Sequence, residues 1–385
     1  MFGSTETPDN TKREGDKPVR RRRISAVAIA VASSLAVAAC GSSSSSTTTT
    51  KSSSTSVSAT IDGAGSTLAA PIYEQWASTL KSSGLTENFN PVGSGAGQTD
   101  LESATVAFAG SDPSLTPALF KAMKGPVLQF PVAAGAITVS YNLPGVKSGL
   151  KLTGPVIADI FSGKVTKWND PSITALNPGT SLPSTSITVI HRSDSSGTTE
   201  GFTTYLSDVS PTWAKTIGAG KDVKWPVGTG AAKNSGVAAA VKSTAGAVGY
   251  VEQAYAIENS FTYASVKNSA GTYILPTIPN TSDAFLGIKV PTNLGISTIN
   301  SPNTAAYPIV SQTFLDAYAD PCKDGGLTST TAKGLYEFLS YAFGAGQQTL
   351  GAGANDLPYA PVPASLDAKD VAQLKTMTCN GAALS

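Results

Sequence analysis

The chain has 385 residues, 27 Lys and Arg against 26 Asp and Glu, one histidine and three cysteines. That length supports a large core and more than one lobe, and so even a charge balance argues against nucleic acid as a partner or a general electrostatic sink for anions. With a single histidine and only two cysteines beyond the leader, the usual donors of a metal centre are scarce, and neither metal nor cofactor is expected.

In chain order, Arg20-Arg-Arg-Arg23 precedes an apolar stretch from Ile24 to Ala39. A basic region, a short apolar core and small residues at its end describe an export signal. Val37-Ala-Ala-Cys40 resembles the bacterial lipobox, which implies cleavage before Cys40 and acylation of its sulfur. Residues 1–39 are then a lipoprotein signal peptide, the alternative being a plain secretory signal. Residues 40–58 are almost wholly Ser and Thr, too polar to bury a core, and read as a flexible tether. Nothing downstream approaches 18 uninterrupted apolar residues, so contact with the membrane is expected through the lipid anchor only.

From about residue 59 the pattern alternates. Leu68, Ile72, Trp76 and Leu80 recur every fourth residue, and Val156, Ile160 and Phe161 share a helical face. Short β-rich runs lie at 106–109, 135–141, 186–190 and 247–251. Strands interleaved with helices predict an α/β fold with largely parallel sheets. Cys322 and Cys379 are the remaining cysteines, and in an exported protein an isolated pair is most simply a disulfide.

Hydroxyl residues and glycines collect at the strand-to-helix turns, where ligands of open α/β sheets bind. In Gly63-Ala-Gly-Ser-Thr-Leu68, Ser66 and Thr67 stand where an N-cap hydroxyl and exposed first-turn N–H groups are expected, with Pro71 in the first turn. Gly93-Ser-Gly-Ala-Gly allows backbone to approach a ligand, and Ser94 adds a hydroxyl. Ala107-Phe-Ala-Gly-Ser-Asp112-Pro113 is a strand followed by a carboxylate at a proline turn. Arg192 is the only arginine after residue 23, and Ser-Asp-Ser-Ser-Gly-Thr198 follows it. A planar fork of donors beside a helix start suits a small oxyanion; the alternative is an arginine that pairs with Asp194 to brace a loop.

Taken together, these words resemble the phosphate-binding subunit of bacterial phosphate ABC transporters, the PstS family. The resemblance also includes Phe130-Pro131, Gly163-Lys-Val-Thr-Lys-Trp-Asn169, Leu176-Asn-Pro-Gly179 and Gly246-Ala-Val-Gly-Tyr-Val-Glu252, and it thins beyond about Tyr255. It implies the two-lobed (type II) periplasmic-binding-protein fold, with the ligand in the inter-lobe cleft and two hinge crossings, near 136–141 and 249–255. One lobe would comprise 59–138 plus 254–385, the other 139–253. It implies phosphate ligands at Ser66, Thr67, Leu68 (backbone only), Ser94, Asp112, Arg192, Ser196, Gly197 and Thr198, with Asp194 bracing Arg192. The partners implied are inorganic phosphate and the permease subunits of an ABC importer, for a monomer anchored on the outer face of the cell membrane. Two departures are Leu68, where the family often has Phe, and Ser195, where it often has Gly; neither removes a donor.

The resemblance gives Asp112 a physical purpose. Phosphate near neutral pH still carries a proton that a carboxylate can accept, whereas sulfate would meet the same carboxylate as an unpaired like charge. Sites that depend on a ligand's hydroxyl reject analogues without it by roughly 10⁴–10⁵. Other readings are a binding protein for sulfate or molybdate, a secreted hydrolase and a surface lipoprotein that has lost transport. Against a hydrolase, Gly93-Ser94-Gly95 lacks the Gly-x-Ser-x-Gly elbow, and His191 beside Arg192 on a strand points the other way.

Overall fold

The computed structural model describes residues 58–384. The expected signal peptide (1–39), the lipidation site Cys40 and all but the end of the 40–58 tether lie outside the described residues.

The chain begins with strand β1 (Ala59–Gly65), helix α1 (Ala70–Leu80), strand β2 (Leu85–Asn90), helix α2 (Ser94–Glu102) and strand β3 (Phe108–Ser111). The 15-residue strand β4 (Val127–Tyr141) follows, then helix α3 (Gly154–Phe161), strand β5 (Thr188–Arg192) and helix α4 (Gly197–Val209). Strand β6 (Thr229–Ala231), helix α5 (Lys233–Ser243) and strand β7 (Ala247–Glu252) come next. Strand β8 (Val310–Tyr318) and helix α6 (Ser329–Ala342) belong to the C-terminal part.

These strands form one mixed sheet in the order β2-β1-β3-β8-β4-β7-β5-β6. Strand β4 joins its two parts: its first half, to Ala136, pairs with β8, and its second half, from Ile137 to Tyr141, pairs with β7. The expectation of largely parallel pairing holds only at the flanks, where β1 runs parallel to β2 and β3, and β5 parallel to β6 and β7. The centre is antiparallel. The reason is topological: β4 traverses both parts, so strands that return alongside it on either part run the opposite way.

Local sequence accounts for the edges of these elements. Helix α1 starts two residues later than its apolar spacing suggests, at Ala70, with Pro71 in its first turn, where a missing N–H costs nothing. Strand β3 likewise lies two residues beyond its apolar run. Strand β5 extends through Arg192, with Val189, Ile190 and Arg192 buried and His191 partly exposed. The core beside β1 is aromatic: Tyr73, Trp76, Phe108 and Phe338 are buried, with Phe108 stacked on Phe338 at 5.0 Å and Tyr73 edge-on to Phe108 at 5.9 Å. Burial of such rings is the main term that holds a helix onto a sheet face. Among the described residues, no helix is long and apolar enough to cross a membrane.

Cys322 and Cys379 form a disulfide across a sequence separation of 57 residues. A closed loop of that length removes entropy from the unfolded chain worth about 4 kcal/mol. Replacing both cysteines by serine is therefore expected to lower the unfolding free energy by about 2–4 kcal/mol, read by urea unfolding; a loss under about 0.5 kcal/mol would contradict that role.

Candidate oxyanion site

Four helices begin around Asp112. The turn that leads into α1 holds Ser66, Thr67 and Leu68; Ser94 opens α2; Ser196 caps α4, followed by Gly197 and Thr198; Asn234 is the second residue of α5. Helix N-termini carry unsatisfied N–H groups and partial positive charge. All these side chains, with Asp112 and Arg192, are at most 3% exposed.

On the β1–β3 side, the Ser66 hydroxyl donates to Asp112 Oδ1. It accepts from the N–H groups of Leu68 (3.0 Å) and Ala69 (3.1 Å), which makes it a pre-helical turn rather than the N-cap of α1. The Leu68 N–H is thus already engaged. Thr313 on β8 donates to Asp112 Oδ1 (3.1 Å), and Ser94 Oγ lies 3.4 Å from Asp112 Oδ2. Burial raises the Asp112 carboxyl to about 6, against the lowering effect of bonds from Ser66 and Thr313 and of the Arg192 charge.

On the β5 side, Arg192 donates to both oxygens of Asp194, Nε to Oδ1 at 2.7 Å and Nη2 to Oδ2 at 2.5 Å. Part-burial pushes the Asp194 carboxyl up, but the Arg192 pair prevails and holds it below the usual carboxylate range. The edge-on pair leaves Nη1 to face Thr198 Oγ1 (3.5 Å). Tyr250 supports the strand, its hydroxyl accepting the Arg192 N–H (3.0 Å). Ser196 Oγ accepts the Thr199 N–H (3.1 Å) as the N-cap of α4. His191 is not part of the cluster: its Nδ1 lies 3.0 Å from the Arg192 carbonyl and its ring stacks on Trp225.

The two sides meet. A Cβ on Gly197 would lie 2.6 Å from Asp112 Oδ2 and closer still to Ser94 Oγ, so only glycine permits this approach. The Gly95 N–H donates to the Ser195 carbonyl (3.2 Å), and Lys221 Nζ donates to Gln98 Oε1. Asn234 bridges both sides, its Nδ2 donating to Thr67 Oγ1 (3.0 Å) and Thr198 Oγ1 (3.2 Å). Neither Thr313 nor Asn234 is among the residues named from sequence: Thr313 lies in the C-terminal stretch where motifs thin out, and Asn234 stands at a helix start between Gly228-Thr-Gly230 and Ser235-Gly236 that no family word covers.

Several donors converge with no acceptor among the described residues: the N–H groups of Thr67, Gly197 and Thr198 and the hydroxyl protons of Thr67, Thr198 and Ser196. A guanidinium stands beside them. Buried donors left in this state are costly unless an acceptor arrives, and an oxyanion is a compact set of acceptors. Among the described residues, Asp112 is the carboxylate that lies against this group, its Oδ2 beside Ser94 and Gly197.

A model described as a PBP superfamily domain matches residues 49–345. The chain is 39% identical over 321 residues to the phosphate-binding protein PstS of Pasteurella multocida, covering 82% of this chain and 90% of that protein. It is equally identical over 323 residues to PstS of Haemophilus influenzae, covering 82% and 93%. The chain belongs to the PstS family. A solved structure of a high affinity periplasmic phosphate-binding protein, bound with phosphate, matches with a TM-score of 0.63 at 21% identity, covering 81% of this chain and 93% of that one. The fold is accordingly the two-lobed α/β fold of periplasmic binding proteins, as the sequence words imply.

Asp112 supplies a stability test. Its folded pKa near 6 lies above the unfolded value near 4, so its contribution is fully present below pH 4 and lost as pH rises through 6. In oxyanion-free buffer, Asp112→Asn is expected to raise the unfolding free energy at pH 7.5 by about 1–3 kcal/mol and to give no such gain at pH 4. Urea unfolding at both pH values checks this; an equal gain at both would contradict it.

Proposed function

We propose that this chain binds inorganic phosphate outside the cytoplasm and delivers it to an ABC importer. The observation that carries the reading is the convergence of undischarged N–H and O–H donors and Arg192 on a site against which the Asp112 carboxylate lies. The PstS relatives compared above are named phosphate-binding proteins, and their identity to this chain extends across most of both chains.

In this reading phosphate sits between residues 59–138 plus 254–385 as one lobe and 139–253 as the other. Ser66, Thr67, Ser94 and Asp112 hold it from the first, with the Leu68 N–H shared between phosphate and Ser66 Oγ. Arg192, Ser196, Gly197 and Thr198 hold it from the second, and Asp194 fixes the orientation of the guanidinium plane. Because donors come from both lobes, phosphate favours the closed arrangement and shifts the population toward it. The hinges are the crossing within β4 and the passage out of β7. The closed form is then what the permease subunits receive.

Asp112 argues for phosphate over sulfate or molybdate. Its carboxylate accepts the proton that phosphate retains, and repels an oxyanion that offers none. Acyl or phosphoryl chemistry finds no support: Ser94 and Ser196 face Asp112 and a helix N-terminus, while His191 is turned to Trp225. Cys40 carries the lipid that tethers a monomeric binding protein to the outer face of the membrane.

Calorimetric titration with phosphate and then sulfate tests the assignment. Arg192→Ala is expected to weaken phosphate binding more than about tenfold, since a charge-assisted pair of donors is worth about 1.5–3 kcal/mol. Asp112→Asn is expected to narrow the preference for phosphate over sulfate. Wild-type phosphate affinity in Arg192→Ala, or unchanged sulfate rejection in Asp112→Asn, would count against these roles.

A further inference from the structure

Asn234 occupies a singular position. Its Oδ1 accepts the Glu252 N–H at 3.0 Å, a backbone group that can only donate, which fixes the orientation of the amide. Nδ2 is therefore turned toward Thr67 Oγ1 (3.0 Å) and Thr198 Oγ1 (3.2 Å), one on each lobe. The side chain is fully buried, so water does not compete for these bonds.

A hydroxyl oxygen has two acceptor sites and one proton. Thr67 Oγ1 also faces the Asn234 N–H at 3.4 Å, and Thr198 Oγ1 also faces Arg192 Nη1 at 3.5 Å. Each oxygen thus faces two donors, so neither hydroxyl can rotate its proton toward Asn234 or Arg192 without setting donor against donor. Both protons are left to point elsewhere, and among the described residues neither has an acceptor. The anchor is itself held: Glu252 Oε2 accepts from the Ala254 N–H (2.6 Å) and from Tyr359 Oη (3.0 Å), whose hydroxyl also reaches the Leu68 carbonyl (2.7 Å).

We infer that Asn234 is a positioning residue that sets the polarity of the phosphate site: it saturates the Thr67 and Thr198 hydroxyl oxygens so that both protons are presented to the ligand, one from each lobe. The inference rests on the phosphate reading. It adds that closure orients the Thr67 donor, because the Asn234 amide on one lobe meets the Thr67 hydroxyl on the other only when the lobes are together. In the open form Thr67 is free to turn its proton to water, whereas Thr198 keeps both Asn234 and Arg192 on its own lobe.

Double-mutant cycles on phosphate-stripped protein, titrated with inorganic phosphate by calorimetry, test the inference. Asn234→Ala is expected to weaken phosphate binding at least tenfold. In Thr67→Val and in Thr198→Val backgrounds, where a hydroxyl is missing, the cost of Asn234→Ala is expected to be at least threefold smaller. A residue that merely supported the fold would cost the same in every background, and such additivity overturns the inference, as does wild-type affinity in Asn234→Ala. Should the alanine variant be unstable, Asn234→Asp keeps the size and the acceptor for the Glu252 N–H. Its loss, also expected to be at least tenfold, must shrink in both valine backgrounds, and a constant loss overturns the inference. A wild-type protein silent to phosphate sinks the phosphate reading and this inference together; a wild type that binds with additive cycles sinks the inference alone.

Discussion

The site turns on one unfavourable act: holding a carboxylate in a dry enclosure near helix N-termini. Asp112 is 1% exposed, and its raised pKa shows that burial costs more than Ser66, Thr313, Ser94 and Arg192 together return. Such a group persists where function needs it. A pocket made only of donors would accept any small oxyanion; one acceptor among them converts a general anion site into one that asks for a proton on the ligand.

The fold exists to bring that acceptor against the donors. Strand β4 is continuous through both parts of the sheet, so Asp112 at the end of β3 and Arg192 at the end of β5 share one backbone frame. The starts of four helices are then gathered near Asp112. The electrostatics are local, as the near-neutral net charge requires: among the described residues Arg192 is the only guanidinium, and Asp194 takes its Nε–Nη2 edge. Pairing Arg192 with Asp194 does not make it a mere brace. It fixes the plane of the fork and leaves Nη1 beside Thr198, so the pairing with Asp194 leaves one donor of the fork turned to the cluster.

Much of this was legible in the residues. The α/β character follows from apolar spacing, and the donors Ser66, Thr67, Ser94, Ser196, Gly197 and Thr198 lie in short Gly-Ser-Thr words whose chemistry is local. Arg192 stands out as the only arginine after residue 23, whereas Asp112 stands out by its Gly-Ser-Asp word and not by its proline, since Asp170 and Asp320 also precede proline. What stayed hidden depends on distant chain. The antiparallel centre arises from β8, some 170 residues beyond β4, and periodicity carries no information on such pairing. Thr313 reaches Asp112 from that same strand, and Asn234 acts through partners 167 and 36 residues away. The Ser66 hydroxyl was expected at the helix cap; the turn before the helix claims it instead, a difference of three residues that spacing alone does not resolve.

A crystal grown with phosphate tests the central claim most directly. The account requires one tetrahedral anion between the lobes, with an oxygen within hydrogen-bonding distance of Asp112 and others met by Arg192, Thr67 and Thr198. Density for phosphate elsewhere, or an anion here that leaves Asp112 without contact, would contradict it.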